Sequence, residues 1–322
     1  MNHQFARLVA PHRPRAAATP AYVERGGELV TRQPFVANGV SMSAFAVPAD
    51  RDLLTGMCER MFTVPTGGAE RYSPVGGHVL IVFATIEEMR SSERPDSLLG
   101  MCTERELAVW VPLHDDTRGR FVWTIPYIFV DSPAPLLGGR EIYGFPKRLA
   151  ELTVNEDESA FEVRTLAIDR FASDARLQMH QIAAARRLDG EVADGASWNR
   201  LADAHEHFRG LGAVLDAAGP AGRFLLSFDG AGVPVVLLKQ FRDARDPSRA
   251  CYQAVVEVVH EIRGFRGGRV LEDWEVCTAS LDGLPLEREL GIIAGSHKPQ
   301  AAFRIDVDFE IGLGRVLWEA GP

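Results

Sequence analysis

Lys147 is the residue in this chain whose type and setting most directly allow chemistry. It stands in the run Ala134-Pro-Leu-Leu-Gly-Gly-Arg-Glu-Ile-Tyr-Gly-Phe-Pro-Lys-Arg-Leu-Ala150, behind an aromatic residue and a proline. Lysine is scarce: Lys147, Lys239 and Lys298 are the only three, so 32 of the 35 basic residues are arginines. A lysine can lose its proton and attack a carbonyl as an amine, which an arginine cannot do near neutral pH. To do so it must give up about 4 kcal/mol of its preference for the charged form. Burial among Ile142, Phe145 and Leu149 supplies such a penalty, and the like charge of Arg148 acts in the same direction. Pro146 fixes φ and can turn the chain to present Lys147 at a cavity mouth. The same residues also fit a lysine whose stem packs at a strand end while its ammonium stays in water. Local residues leave both readings open.

Other chemistry-bearing residues are less suggestive. His205 and His207 fall in a predicted helix, where side chains two apart point in nearly opposite directions and do not share a metal. Gly295-Ser-His297 lacks the strand-to-helix elbow of a nucleophilic serine and reads as a turn. Gly312-Leu-Gly314 does not complete a dinucleotide-binding glycine pattern, and no phosphate-cradling loop with its lysine occurs. The four cysteines are far apart with no C-x-x-C pair, which predicts inert thiols in a reducing cytoplasm. No metal and no cofactor is expected.

The elements that must position Lys147 are mostly strands. Predicted strands cover Gly39–Val47, His78–Ile86, Glu106–Pro112, Phe121–Val130, Glu151–Val154 and Ser159–Ala167, with His114–Arg120 as a hairpin loop. Further strands are predicted at Phe224–Ser227, Val233–Phe241, Cys251–Ile262, Arg269–Ala279 and Ala302–Ile311, the last alternating apolar and polar residues. A helix is predicted over Ala49–Phe62 with Asp50 as its cap, and another over Ser197–Ala217, capped by Ser197 and ended by Gly219-Pro220. No regular βαβ alternation appears, so the fold class is α+β, strand-dominated and more antiparallel than parallel.

Residues 1–33, with three prolines and no periodicity, are expected to form a flexible arm, followed by one domain over 34–322. The formal net charge of −9 argues against nucleic-acid or acidic-membrane partners. No signal peptide is evident, and no apolar run nears the roughly 18 residues that would cross a bilayer.

The run Gly139-Arg-Glu-Ile-Tyr-Gly-Phe-Pro-Lys-Arg148 resembles the active-site signature of the acetoacetate decarboxylase family. In that family the first lysine forms a Schiff base and a second cation follows it; acetoacetate decarboxylase is itself a known case of a lysine activated by a neighbouring cation. The resemblance implies that Lys147 is the Schiff-base lysine and that Arg148 stands for the second cation, tuning its pKa. Cys102-Thr-Glu-Arg-Glu-Leu-Ala-Val109 resembles the segment carrying the catalytic glutamate, which assigns that role to Glu104. The closing segment from Leu284 to His297 and the strand after it are similar too. The likeness spans roughly Pro34 to Leu317, with an inserted or diverged helical segment near 174–222. It implies an antiparallel barrel or cone-like core with a few flanking helices, a cytoplasmic homo-oligomer, and a small oxo-acid as substrate.

Two departures narrow the expectation. The family's decarboxylases carry a second glutamate after a phenylalanine, whereas Phe83 is followed by Ala84, and nearby Glu87 and Glu88 read as a solvated loop end. They also carry an arginine in the first strand, where Val40–Ser43 holds no basic residue. Tyr143, Phe145, Trp123 and Tyr127 are expected to wall the cavity. Three functions follow: decarboxylation of a β-keto acid through an iminium on Lys147, aldolase-dehydratase chemistry through the same iminium, or non-catalytic binding of a small molecule on the same fold.

Overall fold

The computed structural model describes residues 21–24, 29–188, 195–212 and 232–321. The chain begins with β1 (Phe35–Pro48) and α1 (Arg51–Cys58). Asp50 caps α1 as expected, its carboxylate accepting from the backbone N–H groups of Asp52 and Leu53 at 2.9 and 3.0 Å. The helix runs on through a wider π turn, Glu59–Thr63, that buries Phe62. Next come β2 (Tyr72–Pro74), β3 (His78–Ser91), β4 (Cys102–Asp115), β5 (Arg120–Val130) and α2 (Pro133–Gly138). They are followed by β6 (Lys147–Leu149), β7 (Glu151–Val154), β8 (Ala160–Ala167), β9 (Gln178–Arg187), β10 (Ser197–Trp198) and α3 (Leu201–Gly212). The remaining elements are β11 (Val233–Arg242), β12 (Ala250–Val270), β13 (Trp274–Thr278), α4 (Leu286–Leu290), β14 (Gly295–His297), β15 (Ala301–Ile311) and β16 (Arg315–Glu319).

The fold is strand-dominated α+β. Its main sheet runs β4-β3-β1-β15-β12-β11-β5, and β5 pairs again with β4, so these strands close into an uneven ring. All the contacts are antiparallel except β11 with β5, a parallel seam carried by the single pair Val235 and Trp123. A second sheet, β14-β13-β9-β8-β7, packs outside. Strand alternation divides the apolar residues between two cores. From β1, Met42, Ala44 and Ala46 join the cluster inside the ring, while Phe45 and Val47 join the one shared with the second sheet and α1.

Several expectations change. The segment expected to be helical near 174–222 contributes β9, an inner strand of the second sheet, whose Ile182, Ala183 and Ala185 are buried. Of its arginines, Arg186 is exposed and pairs with Glu275 of β13, while Arg187 lies over the Trp274 ring. Ser197 does not cap a helix: Ser197 and Trp198 pair with Arg269 and Gly268 of β12. The strands expected at Cys251–Ile262 and Arg269–Ala279 are instead the 21-residue β12 followed by a separate β13. The glycines between them mark bulges, at Ile262/Gly264 and Phe265/Gly267, where the strand bends along β15. Gly295-Ser-His297 is a strand, not a turn. The predicted strand Phe224–Ser227 and the end of the predicted helix beyond residue 212 lie outside the described residues.

So do residues 1–20 and 25–28 of the expected flexible arm, but its last residues are tied to the body. Arg32 grips the Asp96 carboxylate with its backbone N–H at 2.6 Å and its guanidinium at 2.6 and 3.1 Å. Ser91 Oγ donates to the Arg32 carbonyl at 2.5 Å. The four cysteines are free thiols; Cys58 is buried, and Cys251 is exposed rather than sequestered. Among the described residues no helix is long and apolar enough to cross a membrane.

Candidate active site

The segment that delivers Lys147 is a short helical excursion between two strands. Ser132 is extended, Pro133 and Pro135 suit the first turn of α2, and the helix widens into a π turn over Gly139–Tyr143. Gly144 ends it at φ 88°, a left-handed conformation. A Cβ there would also stand 2.6 Å from Lys239 Cα. Gly144→Ala is therefore expected to lower stability by about 1–3 kcal/mol, read as a fall in Tm. The chain then extends through Phe145 and Pro146, and Lys147 enters β6 parallel to Ile128 of β5.

The motif around Lys147 is largely architecture. A Cβ on Gly139 would lie 2.9 and 3.0 Å from Lys147 Cδ and Cε, so the glycine leaves room for the lysine stem. Gly139→Ala is expected to displace the amine and lower turnover at least tenfold with little change in Tm, because the neighbour that must yield is a flexible side chain. Arg140 Nη1 donates to the Lys147 carbonyl at 3.1 Å, Glu141 accepts from the Tyr22 hydroxyl at 2.7 Å, and Tyr143 donates to the Gly312 carbonyl at 2.8 Å.

Lys147 sits between two adjoining cavities. An outer one is lined by residues including Leu29, Thr31, Phe35, Arg90 and Tyr143, and an inner one by residues including Glu104, Glu106, Trp110, Ile125 and His260. Met89, Phe145, Lys147 and Ile311 border both. The lysine is only 8% exposed and its Nζ donates to Glu104 Oε1 at 2.7 Å. Glu104 Oε2 is buried and has no hydrogen-bond partner. Lys147 and Glu104 therefore share a largely buried, mostly apolar chamber.

The electrostatics differ from the expectation drawn from the motif. Burial pushes the Lys147 pKa down, but the charges of Glu104 and Glu106 and the Glu104 hydrogen bond outweigh it, and the net direction is up. Arg148 plays no part in this balance. The residue following Lys147 in an extended strand must point the other way, and Arg148 is exposed, donating to the Gly283 carbonyl at 2.9 Å. Glu106 carries the largest consequence: burial, reinforced by the Glu104 charge and only partly opposed by Lys147, raises its pKa to about 7.

Glu106 was not among the residues singled out from sequence, although its position two beyond Glu104 in a strand puts it on the same face. Its cross-strand partner in β3 is Ala84, the position where a second glutamate was expected. A carboxylate therefore faces the chamber one strand over from Ala84. The expected walls divide. Tyr143 and Phe145 line the cavities. Trp123 is fully buried core, edge-on to Trp110 and Phe121 at 6.0 and 5.2 Å. Tyr127 faces the opposite side of β5 from Ile128 and donates to Glu289 at 2.5 Å. Glu87 packs beneath Gly39 and Glu88 pairs with Arg90 at 3.1 Å, so neither enters the chamber. No cluster of three or more His, Cys, Asp or Glu able to hold a metal occurs among the described residues.

Residues 74–196 match the family described as Acetoacetate decarboxylase (ADC). No curated protein sequence matches the chain. Among solved structures, an acetoacetate decarboxylase from Legionella pneumophila is 16% identical, with a TM-score of 0.62 over 94% of this chain and 93% of that one. The enduracididine biosynthesis enzyme MppR, complexed with the condensation product of pyruvate and imidazole 4-carboxaldehyde, is 17% identical with a TM-score of 0.58, covering 91% and 92%. An acetoacetate decarboxylase-like enzyme from Sphingomonas wittichii RW1 is 13% identical with a TM-score of 0.57, covering 94% and 100%. At these identities the likeness is one of fold.

Proposed function

The chain is acetoacetate decarboxylase-like in its matched segment and in its fold, and on that premise we propose that it is a lyase acting on a small oxo-acid through a Schiff base on Lys147. The observation that carries the reading is the 2.7 Å hydrogen bond from Lys147 Nζ to Glu104, both buried, in a mostly apolar chamber. The resting pair is ionic, so the nucleophile has to be made in place. A substrate that displaces water from the chamber penalises the ion pair relative to amine plus carboxylic acid, and the proton moves along the existing bond to Glu104.

The free amine then adds to the oxo carbon. Glu104 returns its proton as the carbinolamine loses hydroxide, so water departs and a protonated imine remains. In a β-keto acid the bond to the carboxylate breaks next, its electron pair flows into the iminium, and CO₂ leaves an enamine. Glu106, half-protonated near neutral pH, donates a proton to the enamine carbon, and water hydrolyses the resulting imine to release the ketone. Each proton transfer of this kind is typically worth about 10²–10⁴-fold.

The same poise at Glu106 favours a second reading. As a carboxylate it can take a proton from the carbon beside the iminium, which opens aldol or dehydration chemistry instead of CO₂ loss. Borohydride reduction in the presence of β-keto and α-keto acids, read by mass spectrometry, tests both. The expected result is a reduced adduct on the peptide carrying Lys147. Adduct with CO₂ release supports decarboxylation, and adduct with solvent deuterium exchange but no CO₂ supports the second reading. No adduct with any oxo-acid sinks the Schiff base altogether.

A further inference from the structure

The inner chamber ends in a polar group for which the steps above have no use. His260, on β12, is only 9% exposed, and its Nδ1 is buried without a hydrogen-bond partner. The imidazole is boxed by aromatic edges: Trp110, Phe145 and Phe309 lie at centroid distances of 6.0, 6.2 and 5.7 Å, tilted 62–69°. These contacts fix the ring without satisfying the nitrogen. Leaving a buried polar atom unpaired costs roughly 1–3 kcal/mol. His260 also lines the same chamber as Lys147 and Glu104.

We propose that His260 is the specificity-determining residue of the chamber, hydrogen-bonding a hydroxyl on the substrate's carbon chain away from the carbonyl that Lys147 engages. This rests on the Schiff-base reading, but not on which bond breaks afterwards. Burial drives the His260 pKa down to about 4, with Lys147's charge acting the same way and the Val233 backbone opposing it, so the ring is neutral at pH 7. A neutral imidazole offers one donor and one acceptor. A hydroxyl complements it in either tautomer. A second carboxylate does not: it can only accept, and it would share the chamber with Glu104 and Glu106. A cationic group would meet Lys147. The substrate class is therefore a hydroxylated oxo-acid rather than one with a plain alkyl tail.

The test uses the whole protein and matched pairs of oxobutanoates and oxopentanoates with and without a terminal hydroxyl. Borohydride trapping rates on Lys147 are measured at subsaturating concentration. The hydroxylated member of at least one pair is expected to trap about 5–150-fold faster, the ratio that one satisfied buried hydrogen bond supplies. His260→Leu and His260→Phe are expected to bring that ratio to about one, with the imine on Lys147 still forming from both members of each pair. Equal trapping within every wild-type pair overturns the proposal while leaving the imine intact, as does a preference that survives in a folded variant. Absence of any adduct overturns the Schiff base and this proposal with it.

Discussion

Replacing Lys147 by methionine is expected to abolish covalent capture of every oxo-acid and to lower turnover by about 10⁴–10⁶-fold, since no other group near the chamber can form an imine. The remaining lysines are remote from that role. Lys239 lies over the rings of Phe241 and Tyr252 and donates to the Ile142 carbonyl, and neither it nor Lys298 lines the chamber. The same substitution removes the only cation that lines the chamber with Glu104 and Glu106 among the described residues. Breaking a buried ion pair from one side typically costs about 3–5 kcal/mol. Glu106 can escape that cost only by holding its proton, so its folded pKa in the variant stands further above the unfolded value than in the parent. A group with a raised folded pKa stabilises most below its unfolded pKa and loses that contribution as pH rises through the folded one. The Tm deficit of Lys147→Met should therefore be small near pH 5 and large near pH 8. A deficit that grows toward acid would show that the carboxylates are not held by Lys147.

Glu106→Gln separates the second carboxylate from the first. Glutamine keeps the shape but cannot transfer the proton, so turnover is expected to fall by about 10²–10⁴-fold while imine trapping on Lys147 persists. The pH profile should also change. With the Glu106 pKa raised to about 7, the parent should show a limb near neutrality that the variant lacks. For stability the sign is fixed by the direction of the shift. The folded parent holds the Glu106 proton between the ordinary carboxyl range and about pH 7, whereas the unfolded chain has released it. The stability contribution of Glu106 is complete below the ordinary range and gone above about pH 7. Glutamine has no such dependence. The variant should match the parent near pH 4 and exceed it in Tm near pH 8, and the reverse order would mean that Glu106 is stabilised as an anion.

Much of the strand framework was legible from local pattern. The alternation in Ala302–Ile311 and the apolar run at His78–Ile86 each name a strand, and Asp50 names the start of α1, because backbone geometry and first-turn capping act over a few residues. The failures fall where a local pattern has more than one tertiary use. Glycines between residues 262 and 270 look like turn signals, yet they serve as bulges in one bent strand. The Arg-rich stretch before Leu188 lacks a clean period because a register shift against β8 skips Ile182 and leaves Ile182 and Ala183 both buried. The aromatics of β5 could not be sorted, since which face of that strand meets the chamber depends on ring closure with β4 and β11.

For the site, the sequence alone determined that a rare lysine follows a glycine-rich, proline-ended turn, and the family likeness paired it with Glu104. Only the tertiary structure decided its charge. The motif pointed to a lysine tuned by Arg148, but adjacent strand residues diverge, and the groups that govern Lys147 come from β4, more than forty residues earlier in the chain. It also decided that Glu106 lines the chamber from the position paired with Ala84, and that His260 reaches it from β12. Electrostatic coupling falls off with distance in space and not along the chain, so the identity of the lysine was readable and its surroundings were not.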